Sequence, residues 1–163
     1  MNGLLLAVTT WVHLLSTVVW IGGIYFILYV ALPSAKQAIE QPGKIMGPIS
    51  KRYVPMANAS IILIIASGIV MSLASHNYAD LAKLSSLWEQ PLLVKVLIVL
   101  LMASIHFYRG LILTPRITRL TSEGSHAEQT AKLQSFSLRL VKVNFILGIV
   151  VLFVTSILYA HKA

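Results

Sequence analysis

The chain has 163 residues, 57% of them apolar and only 11% charged, with a formal net charge of +8 and no cysteine. A soluble fold could not cover its surface with so few charges, about a quarter being usual, so lipid must be part of its solvent. The missing cysteines exclude disulfides, iron–sulfur clusters and thiolate metal sites. The basic excess does not point to nucleic acid, because it lies between apolar runs, where membrane topology accounts for it.

The first apolar run extends from about Leu4 to Leu32. No Lys or Arg precedes it and it is too long for the apolar region of a signal peptide, so it is expected to be a retained helix. It carries His13 on a face shared with Ser16, Thr17, Trp20 and Gly23, at helical spacing. Two readings stay open for that face: a packing seam of small residues with a hydrogen-bonding His, or a ligand or proton carrier pointing into the protein. The following loop is expected to hold Lys36, Lys44, Lys51 and Arg52. The second run, about Val54 to Ala74, has Asn58 near one end, expected to be a hydrogen-bonding packing residue.

A loop from His76 to Gln90 precedes the third run, about Leu92 to Leu113. Lys95, Met102, His106 and Arg109 fall within about 40° of one line on this helix. Lys95 reads either as a snorkelling residue or as a functional one, Arg109 as an interfacial anchor, and Met102 as core filler. Glu123 to Gln129 is expected to be a solvated turn or helix cap. The fourth run, about Val141 to Ala160, carries Asn144, read like Asn58. His76, His126 and His161 lie in loops or at the terminus, where single histidines carry little signal.

Each run approaches or exceeds the roughly 20 residues that cross a bilayer. Backbone in lipid must satisfy its own hydrogen bonds, so the runs are helices. Pro33, Pro55, Pro91 and Pro115 are expected at or near span ends. The fold expected is all-α, a single transmembrane domain over 1–163 forming an integral membrane four-helix bundle. Ten of the thirteen Lys and Arg residues lie beside the first-to-second and third-to-fourth connections. Those connections are therefore cytoplasmic and both termini periplasmic, in a multi-pass protein of the bacterial inner membrane. No internal repeat or low-complexity tract is evident.

Depth sorts the ionisable groups. His13 lies about 8 Å and Lys95 about 11 Å to the periplasmic side of their helix midpoints, and His106 about 6 Å to the cytoplasmic side. His13 and Lys95 can thus share one site, whereas His13 and His106, roughly 13 Å apart in depth, are poor as opposite ligands of one metal.

The stretch from His13 through Trp20 to Gly22 and Gly23 resembles the first helix of the copper resistance protein D family, and equally that of the related HemJ-type protoporphyrinogen oxidases. The run from Pro91 through Lys95 to His106 resembles both, its Lys-to-His spacing most of all the HemJ type. Leu111 to Arg116, and Leu140 through Asn144 to Gly148, look more like copper resistance protein D. The HemJ resemblance implies b-type haem, with His13 and Lys95 as the essential pair. Its Asn-Glu-x-Pro motif is not met, because Asn144 is followed by Phe145, Ile146 and Leu147. The copper branch implies copper uptake across the inner membrane beside a periplasmic copper-binding partner.

The leading expectation is a haem b-binding membrane protein with a redox role, an oxidoreductase if it is an enzyme. His13 and Lys95 are the metal-contacting residues, and His106, Trp20, Gly22 and Gly23 are further cofactor contacts, the two glycines leaving room for a flat macrocycle. Imidazole suits haem iron, and helical bundles hold such ligands on facing helices. The alternatives are copper uptake or homeostasis, and a structural subunit of a larger membrane complex. Against copper stand the missing Cys and the scattered Met, since Cu(I) favours soft sulfur ligands. The lipid bilayer is the expected partner; the reading leaves room for a redox or copper-binding protein and for a homo-oligomer. Catalytic residues are not assigned.

Overall fold

The computed structural model describes residues 3–74, 90–123 and 127–160, all of them helical apart from the turn at 39–42. Four of its helical rods are long and apolar enough to cross a membrane: Gly3–Ala38, Gly43–Ala74, Leu93–Ser122 and Ala127–Ile157. Only 22–28% of the residues in each apolar window are buried inside the chain. Side chains such as Leu4, Trp11, Val18, Leu111 and Phe153 stand more than half exposed. A monomer in water does not tolerate so much open apolar surface, which makes the chain a multi-pass membrane protein.

The rods are longer than the apolar runs. Helix α1 (Gly3–Phe26) passes through a π-helical turn, Ile27–Ala31, into α2 (Leu32–Ala38), and α3 spans Gly43–Ala74. Helix α4 (Gln90–Tyr108) likewise passes through a π turn, Arg109–Leu113, into α5 (Thr114–Glu123), and α6 spans Ala127–Ala160. At 1.5 Å per residue, α3 is about 48 Å long against a hydrocarbon core of about 30 Å. Lys36, Lys44, Lys51 and Arg52, expected in a loop, therefore lie on helical extensions, and the connection contracts to a short turn. There Ile39 is extended and the amides of Lys44, Ile45 and Met46 return to Gln41 and Pro42 carbonyls. At the other hairpin Glu123 ends α5, and Glu128 in the first turn of α6 pairs with Lys132 at 2.7 Å.

The prolines follow the same correction. Pro48 and Pro55 lie inside α3 rather than at its end. The carbonyls they leave without an amide donor belong to Lys44 and Lys51, both exposed residues, where solvent can replace the missing bond. Pro33 and Pro115 also lie within continuous rods. Each stands two residues past a π turn, in which the Leu32 amide reaches Ile27 O and the Thr114 amide reaches Arg109 O. Thr114 Oγ1 also donates to Arg109 O at 2.9 Å. Such π adjustments are how a membrane helix absorbs the donor that proline lacks. Pro91, one residue into α4, fits the expectation, since an amide there has no helical partner anyway.

Contacts divide the chain into two compact units, Met1–Gln90 and Pro91–Ala163. In the first, α1 packs along α3. The seam is built from Ser16, Trp20, Ile21 and Ile24 on one side and Ala57, Ser60, Ile61, Ile64 and Ser67 on the other. Spacings of three and four residues keep each set on one face, and the small residues let the backbones approach. In the second, α5 and the π turn before it pack along α6. The hydroxyls of Thr9, Thr10, Ser104 and Thr155 donate to carbonyls one turn back on their own helices, which satisfies them without a neighbour.

Candidate functional site

His13 sits half-buried on α1, facing α3. Its Nδ1 lies 2.8 Å from Ser67 Oγ, on α3. Ser67 is buried and donates to the carbonyl of Leu63, with a longer contact of 3.2 Å to that of Ile64. A serine has one proton to give, and a carbonyl can only accept. With that proton committed to the backbone, the 2.8 Å contact requires His13 Nδ1–H to donate to Ser67. In the neutral ring the lone pair is then on Nε2. A ligating histidine is commonly oriented in this way, one nitrogen anchored by a hydrogen bond and the other basic. The ring edge at Cε1 lies over Gly68, where a Cβ would approach it to 3.6 Å.

The seam beside His13 combines both sequence readings. Ser16 and Trp20 are buried, as a packing seam requires. Thr17 Oγ1 donates to His13 O at 2.8 Å and so bonds within its own helix rather than across the seam. Trp20, 2% exposed, accepts at its carbonyl a 2.7 Å hydrogen bond from the Tyr53 hydroxyl. The ring of Tyr53 lies over Gly23. A Cβ there would overlap Cε2 and come within 2.7 Å of Cζ and 2.9 Å of the hydroxyl oxygen. The room that Gly23 provides is filled by Tyr53, and Gly22 faces outward with nothing within 4 Å of a Cβ position. The two glycines thus do not jointly open a slot as expected: one admits an aromatic ring of the chain itself, the other faces the surroundings.

In the second unit Met102 and His106, 1% and 7% exposed, are buried on one face of α4 with Ala103. Lys95 and Arg109, on the same stripe, are half-buried. Asn144, expected to be a hydrogen-bonded packing residue, is 4% exposed, and its Oδ1 has no hydrogen-bond partner among the described residues. Among the described residues no three His, Asp or Glu side chains cluster in a way that could hold a metal ion. His76, His126 and His161 lie outside the described residues.

Ser67, Gly68 and Tyr53 were not picked out from the sequence. Ser60 and Ser67, seven residues apart on a mostly apolar span, were the available signal, since small polar residues at that spacing mark a packing face. The Ser67 anchor gives the first testable result. Ser67→Ala should leave the helix pair intact but weaken any metal held at His13 by about 10–100-fold, the usual value of such a partner, measured by competition titration.

These features define a polytopic all-helical membrane protein in which the first helix pair orients a histidine at its packing seam. Within that class the chain belongs to the copper resistance protein D family, whose family model matches residues 47–158. The matched segment holds Ser67, Lys95, Met102, His106 and Asn144, and begins after His13, Trp20, Gly22 and Gly23. Comparisons with curated proteins and with solved structures gave no match.

Proposed function

We propose that the chain handles copper at the bacterial inner membrane, taking the ion up from the periplasmic side, with His13 as a metal-contacting residue. Family membership supplies the metal, and the observation that carries the site is the Nδ1 anchor on Ser67, which fixes the orientation of the ring at the helix seam. Copper in this role is cargo, so no resident cofactor or catalytic residue is required. The orientation places both termini in the periplasm and rests on the basic helical extensions. Reporter fusions at Lys44 and Glu123 should report cytoplasm, and one at Tyr78, outside the described residues, periplasm. A periplasmic Lys44 overturns this orientation.

A second reading, b-type haem, is favoured by the same oriented imidazole, which suits haem iron, and by the absence of Cys, the softest ligand for Cu(I). In it His13 is an axial ligand, in keeping with the resemblance to the HemJ-type proteins. The protein is then a redox protein. Purifying the chain and recording its metal content and visible spectrum separates the two. Bound copper without a Soret band supports the first reading; a Soret band lost in His13→Ala transfers the site to haem.

A further inference from the structure

Helix α6 has a buried side and an exposed one. Asn144, Gly148 and Val151 are buried. On the opposite side Lys132, Arg139, Lys142, Ile146, Ile149 and Phe153 are all exposed, and their spacing keeps them within about 100° of the helix circumference. This outward face changes character once, between Lys142 and Ile146: it is basic toward the hairpin and apolar beyond. In a membrane helix that change marks the edge of the hydrocarbon core. Measured from its midpoint, Lys142 lies about 3 Å, Arg139 about 8 Å and Lys132 about 18 Å outside the edge. The headgroup layer is about 5–8 Å deep. It takes in Lys142 and Arg139, whose long stem reaches back, and leaves Lys132 in water. Lys132 has its own counter-charge, the 2.7 Å pair with Glu128. For Arg139 and Lys142 the acids of the same unit are distant. Within Pro91–Ala163 these are Glu123 and Glu128 alone, at least about 16 Å from Arg139 along the axis.

We propose that this face of α6 holds an anionic phospholipid, with the phosphate at Arg139 and Lys142 and an acyl chain along Ile146, Ile149 and Phe153. The two cations stand one helical turn apart, so both reach a single phosphate. Arg supplies a planar fork of donors and Lys a compact point charge. The exposed apolar row from Ile146 to Phe153 covers about 10 Å of the helix, within the roughly 15 Å depth of one leaflet's hydrocarbon. Headgroup and tail contacts thus follow one another along a line in the order in which a lipid presents them. A soluble acidic protein would meet only the basic part of that line. A zwitterionic lipid brings its own ammonium group beside the phosphate, and the two cations repel it. In the orientation proposed above, the lipid belongs to the cytoplasmic leaflet.

The test titrates the full chain, purified in a neutral detergent, with dioleoylphosphatidylglycerol or dioleoylphosphatidylcholine and counts bound lipid by native mass spectrometry. The acyl chains are identical, so a preference reads the headgroup. Each basic group at an anionic lipid surface is worth about fivefold in affinity, so the wild type should favour phosphatidylglycerol by about 25-fold. Arg139→Gln combined with Lys142→Gln should bring the ratio near one, whereas Lys132→Gln should keep it. The charge-preserving pair Arg139→Lys and Lys142→Arg should keep most of it. Inorganic phosphate at millimolar concentration should not displace the lipid, because it lacks the chain that lies on Ile146 and Phe153. Equal binding of the two lipids by the wild type overturns the proposal, as does a preference that survives the double Gln substitution or falls equally with Lys132→Gln. Displacement by phosphate also overturns it, leaving an anion site without a lipid.

Discussion

Replacing His13 by alanine should abolish the rise in cellular copper that expression of the chain produces, with the variant still inserted in the membrane. The loss follows from the geometry of one ring. Ser67 spends its proton on the backbone of α3 and so makes His13 Nδ1 the donor, leaving Nε2 as the basic nitrogen. Alanine removes that nitrogen outright. It leaves the seam at Trp20, Ile24, Ile61 and Ile64 untouched, so the helix pair persists. Cellular copper measured by mass spectrometry, normalised to inserted protein, reads the effect. A variant that accumulates copper as the wild type does removes His13 from the copper path. A wild type that raises no copper removes the path itself.

The largest structural effect is expected at Gly23. Gly23→Ala must displace Tyr53, because the new methyl would overlap the ring edge and crowd its hydroxyl. That hydroxyl holds the Trp20 carbonyl, so the variant both strains the seam and breaks a hydrogen bond. The destabilisation should be about 1–3 kcal/mol, the range for overpacked cores. Gly22→Ala is the control with opposite sign: nothing lies within reach of its Cβ, and Ala is favoured over Gly in a helix by roughly 1 kcal/mol. Thermal melting in detergent should separate the adjacent substitutions. Pairing Gly23→Ala with Tyr53→Ala should recover part of the loss, as a double-mutant cycle on contacting residues does. Equal melting temperatures for the two single glycine variants would show that Tyr53 does not occupy that space.

The four spans were legible because apolar runs of about 20 residues have one stable form in lipid. The face of His13, Ser16 and Trp20 was legible too, since helical spacing alone assigns residues to a side. What the spacing could not carry was the identity of the partner. Ser67 and Tyr53 lie 54 and 33 residues from His13 and Trp20, the residues they bond, and contact at that separation depends on how the hairpin closes. The helix ends were misread for a different reason. Pro33 and Pro115 look like stops in sequence, whereas a π turn before each lets the helix continue. Glycine was ambiguous for the same cause: two adjacent Gly residues have identical side chains and opposite surroundings. Asn144 could be placed near the end of a span, but its empty acceptor is a property of the packed chain.

The two π turns set a rule for where these helices can change length. Each begins six residues before a proline, at Ile27 ahead of Pro33 and at Arg109 ahead of Pro115, so the two sit eighty-two residues apart. A π turn is an α-helix carrying one surplus residue, and one residue corresponds to a rotation of about 100°. Removing a single residue inside Ile27–Ala31 or Arg109–Leu113 would return the rod to plain α geometry and keep the faces on either side in step. A deletion anywhere else in the same rods would swing every later side chain by that angle, carrying buried positions such as Ala35 out toward the surroundings. Single-residue gaps between this chain and its relatives are therefore expected at these two turns.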